Sequence, residues 1–350
     1  MAKLTSTAPL PLSPAAAAPA DRSAATDTFR WHDARAHQQA DWHCFDAPLQ
    51  NDGYRWWYVD ALSEDGRSGL TLIAMLGSVF SPYYAGARRR GPTDPLNHTA
   101  LNVALYGPPA PRWALTERGR EAVERTPSRL AFANSGLEWD GDCLRVRIDE
   151  RTAPLGRRVR GEVRITPRVI TDTLIELSPA GNHCWWPIAP YCDVELRIDE
   201  PQVRWTGTGY LDSNFGDAPL EQHFRRWDWC RAATGVDEAC VQYNVERRDG
   251  SRPVLAAQVR ADGDVRPLPV LPTAEARRGI WGVQRSTRAD AGTRPLVRDV
   301  LEDTPFYTRS VLDTHLYGQR LEAVHESLDL DRFSARWVQT LIPFRNPRRA

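Results

Sequence analysis

Gly207-Thr-Gly-Tyr-Leu-Asp-Ser-Asn-Phe-Gly-Asp-Ala-Pro-Leu-Glu-Gln-His-Phe-Arg-Arg-Trp-Asp-Trp-Cys230 carries both the strand pattern and the chemistry of the 350-residue chain. The run Trp205 to Asp212 mixes aromatic and β-branched residues, which favour strands. Its glycines mark places where a neighbouring backbone comes close. Side chains alternate faces along a strand, so Tyr210 and Asp212 share one face. Asp212-Ser-Asn-Phe-Gly-Asp217 reads as a tight turn. Phe224 to Trp229 then reads as a strand, with Trp227 and Trp229 on one face. A carboxylic acid beside a phenol, between glycines and under tryptophans, is an uncommon set. The plainer reading is a polar turn that caps a hairpin.

Outward from this stretch the same short-strand rhythm recurs. Arg55 to Asp60 is a strand, Ser63-Glu-Asp-Gly66 a hairpin turn, and Leu70 to Phe80 a central return strand rich in apolar residues. Ser81-Pro-Tyr-Tyr-Ala85 ends it, and Thr99 to Tyr106 is another strand. Thr116 to Arg125 reads as a short helix. From Ser128 to Leu177 five short strands follow, with turn pairs such as Asp140-Gly141 between them. Gly181 to Tyr191 breaks the rhythm with prolines. A second set comprises Cys192 to Ile198, Val203 to Asp212, Phe224 to Arg231, Cys240 to Arg247, Val254 to Val259 and Thr314 to His325. Ala335 to Pro343 reads as the last strand. Regular strands without βαβ alternation predict an all-β, antiparallel fold of two barrel-like halves. The expected boundaries are 28–195 and 196–347. Residues 1–27, rich in Ala, Pro, Ser and Thr, read as disordered.

Composition bounds the function classes. Lys plus Arg and Asp plus Glu balance at 45 each, so no global field favours nucleic acid. Six cysteines occur singly, which fits reduced thiols in a cytoplasmic setting. No segment approaches the ~20 apolar residues of a membrane-spanning helix. His32, His37 and His43 lack ligand spacing, and Asp212-x-Asn214 departs from a calcium loop at Gly216 and His223. Neither a metal nor a nucleotide cofactor is therefore expected. Acid–base work in aromatic company remains. His183 and Trp185 share a face if their segment is extended, and Tyr210 and Asp212 share another. A buried Asp stays protonated near neutrality, as the protonation of an alkene requires. Electron-rich ring faces then stabilise the carbocation by up to about 2 kcal/mol each. An imidazole can deprotonate the attacking water. Equally, a lone His beside Trp is often a satisfied core residue, and Trp185-Trp186 also reads as barrel wall alone.

Five blocks resemble the carotenoid 1,2-hydratase (hydroxyneurosporene synthase) family of purple photosynthetic bacteria. They are Tyr58 to Gly66, Gly77 to Tyr84, Asp94 to Gly107, Trp113 to Gly119 and Gly207 to Asp217. The resemblance spans about Arg55 to Ile342. It implies two tandem lipocalin-like (calycin) β-barrel domains and cofactor-free hydration of the terminal C1=C2 bond of acyclic carotenoids such as neurosporene and lycopene. It places the catalytic acid at Asp212, with Tyr210, Trp185 and His183 around it. Trp186 and Trp227 are expected against the substrate. Asp94 and His98 form a second polar block, read either as a structural loop or as site residues. The competing readings are a lipocalin-like carrier without catalysis, and a cation-forming cyclase or isomerase that excludes water. A membrane-dissolved substrate implies a cytoplasmic enzyme held peripherally on the inner photosynthetic membrane. Phe80 to Tyr84 and Arg88 to Arg90 are the expected docking edge.

Overall fold

A computed structural model describes residues 29–34, 42–109 and 111–349; the 1–27 segment lies outside them. The chain forms two curled sheets in tandem, antiparallel but for one short parallel pair at the C-terminus. The all-β, antiparallel class is the one expected from the strand pattern, and the lipocalin-like arrangement is the one the family resemblance implies.

The first sheet has 14 strands. At its centre lie Gly69–Leu76, Tyr54–Ser63, Val203–Gly216 and His183–Glu200, side by side in that order. Strands far apart in this order, such as Thr99–Tyr106 and Arg129–Phe132, send Leu101 and Leu130 into one core, so the sheet closes on itself. Trp57, Val59, Leu72, Val194 and Leu211 fill that core. The alternate residues Tyr54, Trp56, Tyr58 and Tyr210 point outward, yet they too are buried, because the second sheet packs on them. Both faces of Tyr54–Ser63 are therefore covered, which is why its sequence is aromatic and apolar throughout.

The second sheet has seven strands, with Glu238–Arg247, Phe224–Gly235, Gln319–Asp329 and Tyr307–Leu316 adjacent in that order. Trp227, Trp229, Tyr243 and Leu328 face the first sheet. Cys230, Ala232, Cys240 and Ala323 face the other way. A two-stranded ribbon touches that far side, where Ser286 O meets His325 Nε2 at 2.8 Å.

Several local expectations differ from the structure. The turn at Asp212 to Asp217 is instead strand up to Gly216, because both flanking strands pair with it: Asn214 lies opposite Trp56 on one side and Trp185 on the other. Gly181 to Tyr191 does not break the sheet. His183–Glu200 is one long strand whose register shifts between Trp186 and Ala189 and again between Ala189 and Cys192, and these irregularities accommodate Pro187 and Pro190. The boundary expected at 195/196 falls inside that strand, and the chain changes sheets between Gly216 and Phe224. Thr116 to Arg125 is strand Arg112–Arg118, a 3-10 turn and strand Val123–Thr126 rather than a helix. Pairing of Thr116 with Leu101 outweighs the local helical signal. Ala335 to Pro343 is helical, as Arg336–Leu341 followed by the 3-10 turn Ile342–Phe344. Thr314 to His325 is a hairpin that turns at Tyr317 and Gly318, with φ of 54° and 80°, as a two-residue turn of this hand requires.

Candidate active site

The structure brings Tyr210 and Asp212 together with Trp185 across adjacent strands. Asp212 is buried, and its Oδ2 accepts from Trp185 Nε1 at 2.9 Å and from the Tyr210 hydroxyl at 3.1 Å. Its Oδ1 accepts no hydrogen bond among the described residues. Burial raises the carboxyl from its ordinary 3.8 to about 8, against the pull of the two donors; Glu326 and Asp60 add to the rise. Rings enclose it. Tyr58 and Trp229 lie 6.3 and 5.5 Å from Tyr210, and Tyr243 lies 5.1 Å from Trp185. The result is a neutral acid, with one free oxygen, inside an aromatic box between the two sheets.

The box contains a second copy of the same motif. Tyr58-Val-Asp60 faces Tyr210-Leu-Asp212 on the neighbouring antiparallel strand, with Tyr58 opposite Asp212 and Asp60 opposite Tyr210. In each motif the Tyr hydroxyl donates to the Asp two residues on, at 3.0 Å for Tyr58. Their surroundings differ. Arg231 pairs with Asp60 and lies over the Tyr210 ring at 5.0 Å. No cation pairs with Asp212 among the described residues. Two carboxyls in matching positions thus have different partners: Asp60 faces an arginine, while Asp212 takes only the Trp185 and Tyr210 donors. Burial alone does not mark a site. Asp228 is raised to about 7, but it sits on the far face and takes the Ser327 hydroxyl.

A cavity of about 630 Å³ opens beside this box. Trp56, Tyr58, Ile73, Met75, Leu115 and Trp227 form its apolar inner wall. A polar strip runs along one side. There Arg309 bonds Glu326 at 2.8 Å and the Tyr106 hydroxyl at 3.0 Å, and Tyr106 donates to Glu302 at 2.8 Å. Asp212 does not itself line the cavity; Tyr58, its partner across the strands, does.

Comparison with known proteins gives the family. The family model described as "Carotenoid hydratase CrtC" matches residues 72–350. The chain belongs to the carotenoid hydratase family. It is accordingly a hydro-lyase. It is 50% identical over 305 residues to the acyclic carotenoid 1,2-hydratase of Thiocapsa roseopersicina, covering 87% of this chain and 75% of that protein. It is 44% identical over 309 residues to the acyclic carotenoid 1,2-hydratase of Rubrivivax gelatinosus, covering 87% and 76%. A solved structure assigned as AttH, from Nitrosomonas europaea, superposes with a TM-score of 0.55 at 16% identity over 80% of this chain and 92% of that one. That likeness concerns the fold.

Within this hydratase the remaining expected residues divide. Trp227 lines the cavity. His183 does not meet Asp212. It lies opposite Gly216, four residues further along the strand and so roughly 13 Å away. Both its ring nitrogens are engaged, Nδ1 with the Tyr54 hydroxyl at 3.0 Å and Nε2 with His223 at 2.9 Å. Burial, and then His223, lower it to about 3, so it is neutral. Trp186 points into the first barrel's own core and donates to Thr171 O at 3.0 Å, because it alternates with Trp185. Asp94 caps the 3-10 turn Pro95–Asn97 and pairs with Arg120. His98 bonds Glu117 at 2.7 Å under the Tyr84 ring. Both lie outside the cavity wall, in contacts that hold loops. Of the expected docking edge, Arg89 and Arg90 are exposed, but other members turn inward. Tyr84 is buried and donates to Gly53 O, and Arg88 pairs with Glu221. Sequence reasoning missed Tyr58, Asp60, Arg231, Glu326 and Arg309. Only Tyr58-Val-Asp60 carried a signal, as a repeat of Tyr210-Leu-Asp212.

Proposed function

We propose that this chain hydrates the terminal C1=C2 bond of acyclic carotenoids such as neurosporene and lycopene, with Asp212 as the acid and no cofactor. The observation that carries the reading is a neutral, buried carboxyl with an unengaged oxygen in an aromatic box beside an apolar cavity. The end of the polyene passes between Trp56, Tyr58 and Trp227 to reach Asp212. The Asp212 proton moves to C2, and the π electrons that bound C1 to C2 form the new C–H bond. The positive charge is left at C1, where two methyl groups and the chain make it tertiary. It has no hydrogen bonds to accept, so the faces of Trp185, Tyr210 and Trp229 stabilise it. Water supplied along the Glu326–Arg309 strip adds to C1. The oxonium proton returns to the Asp212 carboxylate, which restores the acid and completes the cycle. His183 supports the Tyr54 end of the strand pair and takes no part in the transfer, since both its nitrogens are committed. The protein works at the cytoplasmic face of the inner membrane, where its substrate is dissolved.

The test is hydration of lycopene or neurosporene by wild type and Asp212→Asn without added cofactor, with products resolved by mass. Wild type should add one water at a rate that is flat at neutral pH and falls above about pH 8, as Asp212 ionises. Asp212→Asn should lose about 10²-fold or more while still binding the polyene. Polyene bound but returned unchanged by wild type would make the protein a carrier. An active Asp212→Asn would move the proton donor elsewhere.

A further inference from the structure

The cavity reaches the surface between two segments distant in sequence, and both carry large apolar side chains outward. One is the loop with Ile280, 94% exposed, and Trp281, 46% exposed. The other is the helical segment Arg336–Leu341 with its 3-10 extension. There Trp337, Leu341 and Phe344 are 48%, 41% and 69% exposed. Their spacing of four and then three residues places them on one helical face, while Val338 packs inward. The two segments form one surface. The Trp281 and Trp337 rings stack at 6.3 Å, and Arg332 donates to Trp281 O. Trp281 and Leu341 also line the cavity, so the patch is continuous with the substrate's space. Scattered exposed apolar residues need no explanation, but a contiguous rim of them around a cavity mouth does.

Charge indicates what covers this rim. From Arg332 to Arg349 the chain has five Arg and neither Asp nor Glu, in a protein whose formal net charge is zero; Arg348 is paired with Glu117, which leaves Arg332, Arg336, Arg345 and Arg349 to supply the positive charge. Arg277 and Arg278 precede Ile280 and are exposed. Arg345 lies over the Trp113 ring at 4.3 Å, at the cavity wall. Aromatic and aliphatic side chains ringed by arginines match an anionic lipid headgroup layer, with rings at the headgroup level and arginines on the phosphates.

We infer that the Ile280–Trp281 loop and the Arg336–Phe344 segment dock this protein on an anionic bilayer, so that the cavity mouth opens directly into the lipid. The inference rests on the polyene substrate proposed above, which is dissolved in the bilayer and can enter the cavity without crossing water. It replaces the Phe80 to Arg90 edge, whose Tyr84 and Arg88 side chains are turned inward.

The experiment is co-sedimentation with phosphatidylcholine vesicles, with and without phosphatidylglycerol. Wild type should sediment with the phosphatidylglycerol vesicles and be released by salt. The variant Ile280→Ser/Trp337→Ser/Phe344→Ser, in which none of the three residues lines the cavity, should partition about tenfold less or weaker. Its melting temperature and its turnover of detergent-dispersed polyene should match wild type. Phe344→Leu should retain binding, separating lost apolar area from lost folding. Arg88→Ser/Arg89→Ser/Arg90→Ser should also bind as wild type does. Equal sedimentation of the triple Ser variant and wild type would overturn the inference. So would a change from dimer to monomer in that variant, since the rim would then cover a second copy. If wild type sediments but leaves dispersed polyene unhydrated, the docking surface stands and the substrate reading fails. If it hydrates polyene without sedimenting, the docking surface alone fails.

Discussion

At Asp212 the protein keeps a proton that water would remove. Burial lifts the carboxyl to about 8, and the donors Trp185 and Tyr210 only partly offset that rise. The same shift has a consequence for stability. Between about pH 4 and pH 8 the folded state binds a proton at Asp212 that the unfolded chain has already released. The stability associated with this group is therefore full below about pH 4 and is lost as pH rises through about 8. Asp212→Asn has no such proton. Urea unfolding of the two proteins at pH 5 and pH 9 should show wild type losing ground to the variant at the higher pH. A constant difference between them would mean that Asp212 is ionised in the fold. Tyr210 beside Asp212 was legible in the sequence because residues two apart on a strand share a face, whereas Trp185 beside them was implied only by the family resemblance. The same rule sends Trp186, adjacent to Trp185, to the opposite face and into the barrel core. His183 was misplaced because the distance from His183 to Asp212 depends on strand register, which no local pattern carries.

At the scale of elements, the strand Val203–Gly216 is what joins the two Tyr-x-Asp motifs. Its pairing with Tyr54–Ser63 runs unbroken over ten positions, from Gly207 opposite Ser63 to Gly216 opposite Tyr54. Gly207 makes the close approach possible. A Cβ there would stand 1.9 Å from Leu62 O, and backbone cannot yield as a flexible side chain can. Gly207→Ala should cost about 3 kcal/mol and push the motifs out of register, with activity falling alongside the denaturation midpoint. Gly318→Ala, in a turn with φ of 80° and open space around it, should cost only about 1 kcal/mol and leave activity intact. Equal effects of the two substitutions would remove the register argument. Element type was legible wherever residues alternated. It failed at Thr116 to Arg125 and at Ala335 to Pro343. In the first, a buried pairing partner overrode a weak helical signal. In the second, the apolar spacing of Trp337, Leu341 and Phe344 was helical, but the residues face outward and so resembled no core-facing helix.

At the scale of the whole molecule, the site belongs to neither sheet alone. Asp212, Tyr58 and Trp185 come from the first sheet; Trp229, Tyr243, Glu326 and Arg309 come from the second. The chain truncated after Gly216 would leave Tyr54, Trp56, Tyr58 and Trp185 open to water. It should aggregate or bind a hydrophobic dye, and size-exclusion chromatography would show this. A dispersed monomer without dye binding would instead show that the first barrel is complete by itself. Among the described residues no helix is long and apolar enough to cross a membrane.

The sequence by itself determined the all-β class and the family, and it put Tyr210 and Asp212 on one face, because strand alternation, turn residues and the five family-like blocks are local patterns that survive in one dimension. Only the tertiary structure decided which partners the acid has, that the box lies between the sheets, and which surface surrounds the cavity mouth. Those depend on strand register and on how two sheets stack, where a shift of one residue turns every side chain to the opposite face.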